Sequence, residues 1–194
     1  AIDLMRGFGL TSADVRVRVS DRRILTAVTA ELGLTEAQTA VLFQVLDKFG
    51  RTPEDVSREK LKGAGIAEPA QEKLLGLSRG GSWDGLAERL GNDPRVQSAY
   101  GSVLAVKRSL DAMGLGEFAD FDFTIVRGLA YYTGTVFEIF DAGRSLRAIA
   151  GGGRFDGLLN QLGGVDLPAA GFAIGDVVLG EIDGRITPRL QALH

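Results

Sequence analysis

The chain has 194 residues and a mass of 20.6 kDa, with 22 basic against 25 acidic residues, no cysteine, and one histidine at position 194. Zero cysteines exclude disulfides and thiolate metal sites and fit a reducing, cytoplasmic setting; a lone histidine leaves no Ser–His–Asp triad and no His-based zinc site, so no resident metal is expected. A net charge of −3 gives no overall pull toward nucleic acid or membrane, no apolar run approaches the roughly 18 residues of a membrane span, and 45% hydrophobic residues suffice for one domain's core.

In chain order, residues 1–7 read as the tail of a helix with no capping residue before it. Val15-Arg-Val-Arg-Val-Ser20 alternates apolar and basic residues with period two, the pattern of a half-buried strand. Ser20-Asp21 supplies a cap for a helix to residue 32, and 35–49 carries Ala37, Val41, Leu42, Val45 and Leu46 at helical spacing. The stretch 52–91 is charged, short-period and helical, punctuated by glycines. Asp93-Pro94 opens a longer helix to about residue 113, with Val96, Tyr100, Val103, Leu110 and Met113 on one core-type stripe. After Gly116 the character changes. Strands are expected at 120–126, 135–141, 146–150 and 169–174, with helices at 155–162 and 176–182. The resulting organisation is an α/β (α+β) fold with a partial antiparallel sheet. Residues 1–50 start the core, 51–116 form a helical insertion, 117–183 complete the sheet, and 184–194 are a tail.

Two motifs have bland explanations. Gly114-Leu-Gly-Glu-Phe-Ala119 satisfies a dinucleotide-type glycine pattern, but it follows a helix and leads into a strand, so it reads as a helix C-cap. Asp120 and Asp122 share a strand face and could hold Mg²⁺, but the reading preferred for them is a solvated sheet face.

Three other stretches carry the chemistry. In Arg127-Gly-Leu-Ala-Tyr-Tyr-Thr-Gly-Thr-Val-Phe-Glu138, an arginine after a strand offers a charged fork for a carboxylate or phosphate. Gly128 and Gly134 allow turns on either side of Tyr131 and Tyr132, whose flat faces suit a planar ring. In Ala150-Gly-Gly-Gly-Arg-Phe-Asp-Gly157, three glycines between a strand and a helix read either as a tight turn or as backbone open to an anion. In Ala170-Gly-Phe-Ala-Ile-Gly-Asp176, Gly171 and Gly175 leave a flat strand surface, suited to a nucleotide or to close strand packing.

In this order and spacing, the three stretches resemble the histidyl-tRNA synthetases, a family of class II aminoacyl-tRNA synthetases. The first two are similar to the family's histidine-specific signatures, and Gly171–Asp176 is similar to the glycine-rich strand of its third class II motif. The resemblance extends over residues 1 to about 183. It implies ATP-dependent adenylation of histidine and transfer to tRNA. Arg127 would contact the ATP α-phosphate and the histidine carboxylate as charge builds in the transition state. Tyr131, Tyr132, Gly152, Gly153 and Phe155, with Gly151 and Arg154, would surround histidine, and Gly171 and Gly175 would lie under ATP, which brings Mg²⁺. The helical insertion would approach the acceptor stem of the tRNA, and the parent protein would be a homodimer.

Where the second signature usually has tyrosine this chain has Phe155, which removes one hydrogen bond from substrate selection. Asp176-Val-Val-Leu179 replaces the usual nucleotide-binding arginine of the third motif, and Ala130 a commoner aspartate. The first two class II motifs and the anticodon-binding domain have no counterpart in these residues. The resemblance thus implies the second half of a catalytic domain, inactive in aminoacylation by itself. The altered third motif and Phe155 also fit an alternative, the synthetase-like regulatory subunit of ATP phosphoribosyltransferase.

Overall fold

The structure is a computed structural model. It describes residues 1–79, 83, 85–126, 131–143 and 145–191, with the backbone alone for 183 and 185–191. In order the elements are α1 (Ile2–Gly7), β1 (Val15–Asp21), α2 (Arg22–Glu31), α3 (Glu36–Asp47), α4 (Glu54–Gly63), α5 (Glu68–Ser78), α6 (Leu86–Leu90) and α7 (Pro94–Ala112). They continue with β2 (Ala119–Phe121), β3 (Thr135–Asp141), β4 (Ala150–Arg154), α8 (Leu158–Gln161), β5 (Ala170–Ile174) and α9 (Asp176–Gln191). Among the described residues no helix is long and apolar enough to cross a membrane.

Local chemistry explains the helix ends. Asp21 caps α2 by accepting from the Arg23 N–H, and Thr35 forms a capping box with Gln38 at the start of α3. Asp93 caps α7, with Pro94 in the first turn where a missing N–H costs nothing. Gly114 at φ 69 follows α7, so the dinucleotide-type pattern does sit at a helix end. The α7 stripe is buried at Val96 and Val103, while Met113 at its end is 63% exposed.

The five strands form one sheet in the order β2-β1-β3-β4-β5. Its central pairs are antiparallel, but β2 lies parallel to β1. The chain must return to the same end of the sheet between them, and the helices α2–α7 make that crossover. The expected strand at 120–126 stops at Phe121, because the Asp122 carboxylate turns back to accept from the N–H and hydroxyl of Thr124. The expected strand at 146–150 is displaced to Ala150–Arg154. Residues 145 and 146 instead donate to the Asp141 carboxylate in a turn, and the three glycines lie inside the strand rather than after it. The short helix is confined to Leu158–Gln161, and the last one runs past residue 182 to Gln191.

Side chains alternate across the sheet. One face carries Val15, Val17, Val19, Phe137, Ile139 and Ala150, and it packs with Ile2, Met5, Leu115 and Ile182. A second core joins Leu42, Val45 and Leu46 of α3 to Leu61, Leu74, Leu75 and Leu90 of the insertion helices. The helical segment therefore shares its core with α2 and α3. Trp83 touches both cores; its indole N–H donates to the Ala119 carbonyl at 2.9 Å, and its ring lies 5.7 Å from that of Phe121.

Candidate functional site

The face of the sheet opposite the Ile2, Met5 and Leu115 core is built from the other half of each strand. The register aligns Arg18, Glu138, Gly151 and Ala173 in one row across β1, β3, β4 and β5, and Ser20, Val136, Gly153 and Gly171 in the next. A floor of small residues thus lies beside a carboxylate and a guanidinium. Sequence reasoning assigned no role to Arg18, Glu138 or Ala173, although the period-two alternation of β1 and β3 carries that signal.

An aromatic wall rises beside the second row. The Tyr131 and Tyr132 rings are 4.7 Å apart, and Phe155 meets Tyr131 edge-on at 5.8 Å and Tyr132 at 6.2 Å. Tyr132 is buried on Ile125 and Val136, while Tyr131 and Phe155 are half-buried. The glycines make room for these rings. A Cβ on Gly153 would stand 2.8 Å from Tyr132 and 2.7 Å from the Thr135 carbonyl; one on Gly171 would stand 3.2 Å from Phe155. The wall therefore fits against the strands only because two of its neighbours lack side chains.

Not every expected residue comes to this place. Gly152 points to the opposite face, where a Cβ would stand 2.2 Å from the Gly171 carbonyl and 2.5 Å from Phe172 Cβ. Part of the space above Gly171 is taken by Phe155. Gly175 lies beyond the end of β5, its N–H bonded to the Ile149 carbonyl at 2.8 Å. Arg127, and with it Gly128, Leu129 and Ala130, lies outside the described residues.

The acidic pair also has a different environment from either sequence reading. Asp120 is paired with Arg16 and Asp122 with Arg18, each at 2.6 Å, and Asp122 is buried. Each carboxylate is matched by a guanidinium from β1, which the parallel β1–β2 register brings alongside. Among the described residues no three His, Cys, Asp or Glu groups come together to hold a metal ion.

At the rim, Arg154 and Asp156 pair at 2.8 Å; the guanidinium first and the Thr133 hydroxyl after it hold the Asp156 carboxyl below its ordinary range. Across the strand end, the hydrogen bond from Arg23 to Asp21 raises the Arg23 pKa. Two cavities flank the floor. A cleft of about 550 Å³ opens on the helix-side face between Val17, Val106, Leu110 and Phe172. A polar one of about 490 Å³ lies between the sheet and the insertion, lined by Arg18, Thr52, Glu54, Arg79 and Asp122.

Comparison with known proteins gives both a family match and a match of fold. The family described as "Histidyl-tRNA synthetase" matches residues 2–176. A histidine–tRNA ligase of Opitutus terrae is 39% identical over 180 residues, covering 91% of this chain and 41% of the relative. A chloroplastic/mitochondrial histidine–tRNA ligase of Arabidopsis thaliana is 37% identical, covering 93% and 37%. The chain therefore spans about two-fifths of the length of these relatives. Among solved structures, histidyl-tRNA synthetase from Nostoc sp. PCC 7120 superimposes with a TM-score of 0.81 at 23% identity, covering 97% of this chain and 45% of that one. A Bacillus halodurans protein titled as an ATP phosphoribosyltransferase regulatory subunit/histidyl-tRNA synthetase gives 0.80 at 23% identity, covering 93% and 47%.

Proposed function

The chain belongs to the histidyl-tRNA synthetase family, and from that premise we propose that it forms the amino-acid-facing part of an enzyme that adenylates histidine and passes it to tRNA. In the first step a histidine carboxylate oxygen attacks the α-phosphorus of ATP and pyrophosphate leaves. In the second a ribose hydroxyl of the tRNA attacks the activated carbonyl and AMP leaves. The observation that carries this reading is the wall of Tyr131, Tyr132 and Phe155 standing on side-chain-free strand. It offers a planar imidazole an aromatic surface at the half-buried Tyr131 and Phe155, backed by the buried Tyr132, while Glu138 and Arg18 edge the floor with opposite charges.

The proposed roles follow from position. Arg127 precedes the wall in sequence and stabilises the charge that develops on phosphate and carboxylate. Tyr131, Tyr132, Gly153 and Phe155 receive histidine, with Gly152 keeping β4 flush against β5 from the other face. Gly171 and Gly175 frame the strand end assigned to ATP. Mg²⁺ arrives with ATP as part of the substrate, since the acidic pair is already matched by arginines. The insertion helices approach the acceptor stem, the whole protein is a homodimer, and it works in the cytoplasm. Beside Phe155 and the altered third motif, the regulatory-subunit alternative has a likeness at 23% identity, which shows the fold alone, whereas the relatives at 37–39% identity are histidine–tRNA ligases by name.

The test is a chimera in which these 194 residues replace the matching stretch of the Opitutus terrae ligase. Histidine-dependent pyrophosphate–ATP exchange is expected, and Arg127→Ala should lower it by roughly 100-fold or more, the scale of one lost transition-state contact. A folded chimera without exchange, or near-normal exchange by the variant, would overturn the reading.

A further inference from the structure

The segment Thr133-Gly134-Thr135 joins the tyrosine pair to β3, and it is held from two sides by bonds that the proposed chemistry does not use. On one side, the Thr133 N–H donates to the Arg154 carbonyl at 2.9 Å, and the Asp156 N–H donates to the Thr133 hydroxyl at 3.1 Å. Those two partners are the residues immediately before and after Phe155. Thr133 thus ties the tyrosine segment to the backbone on either side of the third aromatic ring. Phe155 is itself held at the start of β5, its N–H bonded at 2.8 Å to the carbonyl of Ala169, the residue before that strand.

On the other side, Thr135 stands directly opposite Asp21 in the β1–β3 register, and its hydroxyl donates to the Asp21 carboxylate at 3.2 Å. Asp21 is fully buried. It also accepts from the N–H, Nε and Nη2 of Arg23, at 2.9, 2.9 and 2.7 Å. The Arg22 N–H closes the set by donating to the Gly134 carbonyl at 3.1 Å. A Cβ on Gly134 would find Arg23 Nη2 at 3.5 Å and Arg154 Cδ at 3.6 Å, so the two arginine side chains bracket this short segment.

We infer that Thr133 and Thr135 are positioning residues whose hydroxyls set the aromatic wall, Thr133 by fastening Tyr131 and Tyr132 to the turn that bears Phe155, and Thr135 by fastening them to the buried Asp21 at the start of α2. A wall assembled from two separate stretches of chain keeps its ring-to-ring geometry only if those stretches are tied to each other. Thr133 and Thr135 form such a tie, directly after the tyrosine pair in the chain. That the wall receives histidine rests on the function proposed above; the tie itself does not.

The experiment compares valine and serine at each position in the 194-residue chain. Valine matches threonine in shape and suits a strand but has no hydroxyl, whereas serine keeps the hydroxyl and loses the methyl. A purely structural role makes valine the milder change; the positioning role makes serine the milder one. The readouts are amide exchange at Thr133 and Arg22 and the ring signals of Tyr131 and Tyr132, two of only three tyrosines. Thr135→Val is expected to speed exchange at Thr133 and Arg22 roughly tenfold and to shift both ring signals, with Thr135→Ser restoring the parent values. At position 133 the same readouts are the Arg22 amide and the two rings, with the same order. Unchanged exchange and ring signals in the valine variants, or serine no better than valine, would overturn the proposal. Should a valine variant fail to fold, the serine comparison and Asp21→Asn, which keeps a capping oxygen but removes the charge facing Arg23, supply the same readouts. Histidine-dependent pyrophosphate–ATP exchange by the chimera described above separates the two claims: a folded chimera without exchange counts against the histidine pocket, while hydroxyl-dependent ring and amide signals still uphold the tie.

Discussion

Glycines 152 and 153 are neighbours in sequence, yet they face opposite sides of one strand and exclude side chains for different reasons. At 152 the obstruction is the Gly171 carbonyl and the Phe172 backbone, which cannot swing away; at 153 it is partly the Tyr132 ring, which can shift. Gly152→Ala is therefore expected to cost about 3 kcal/mol and Gly153→Ala about 1–2 kcal/mol, the range of strand overpacking. Gly175→Ala, with neighbours at an ordinary 3.8–3.9 Å, should be close to neutral. Urea unfolding of the three variants checks the order. Gly153→Ala should in addition move the Tyr132 ring signal, which Gly175→Ala should leave in place. The importance of these glycines was legible in the sequence as a run. Which of them serves the aromatic wall was not, because that depends on strand register, and register places successive residues on opposite faces.

At the scale of elements, caps were the most legible feature, since the residues that form them lie within three positions of one another. The cap of α7 leads to a pH prediction. A side-chain hydrogen bond from Arg95, then the N–H groups of Arg95 and Val96, lower the Asp93 pKa from 3.8 to about 2. A carboxylate depressed in the folded state contributes stability above its unfolded value and loses it as pH falls through the folded one. The stability difference between the parent chain and Asp93→Asn should therefore be constant above about pH 5 and shrink as the pH is lowered toward 2, as followed by urea midpoints. The β1–β2 ion pairs make a second prediction. Arg18 and Asp122 have side chains only 19% and 6% exposed, and the guanidinium also lies 6.0 Å from the Phe140 ring centroid. Asp122→Ala leaves a covered cation without its partner and breaks the Thr124 turn, so a loss of about 3 kcal/mol is expected in chemical unfolding. The sequence showed the basic side of β1 and the acidic side of β2 separately. Nothing in the roughly hundred residues between them announced that they meet.

Across the whole molecule, a helical crossover shares its core with the first helices, and a five-stranded sheet presents one helix-covered face and one face with a row of small residues. Trp83 connects the two parts through the Ala119 carbonyl and the Phe121 ring. Trp83→Phe should keep the packing but drop that hydrogen bond, lowering stability by about 1 kcal/mol in thermal or urea unfolding. The sequence by itself determined the membership of a family, the order of elements, the caps and the identity of the aromatic and glycine stretches. All of these depend on residue type and on spacing along the chain. Only the tertiary structure decided that β2 runs parallel to β1, that the triple glycine is strand rather than turn, that Asp120 and Asp122 answer Arg16 and Arg18, and that Thr133 and Thr135 tie the wall together. Those facts are contacts between residues far apart in the chain or on alternating faces of a strand, and their partners are chosen by register and packing, which local sequence does not encode.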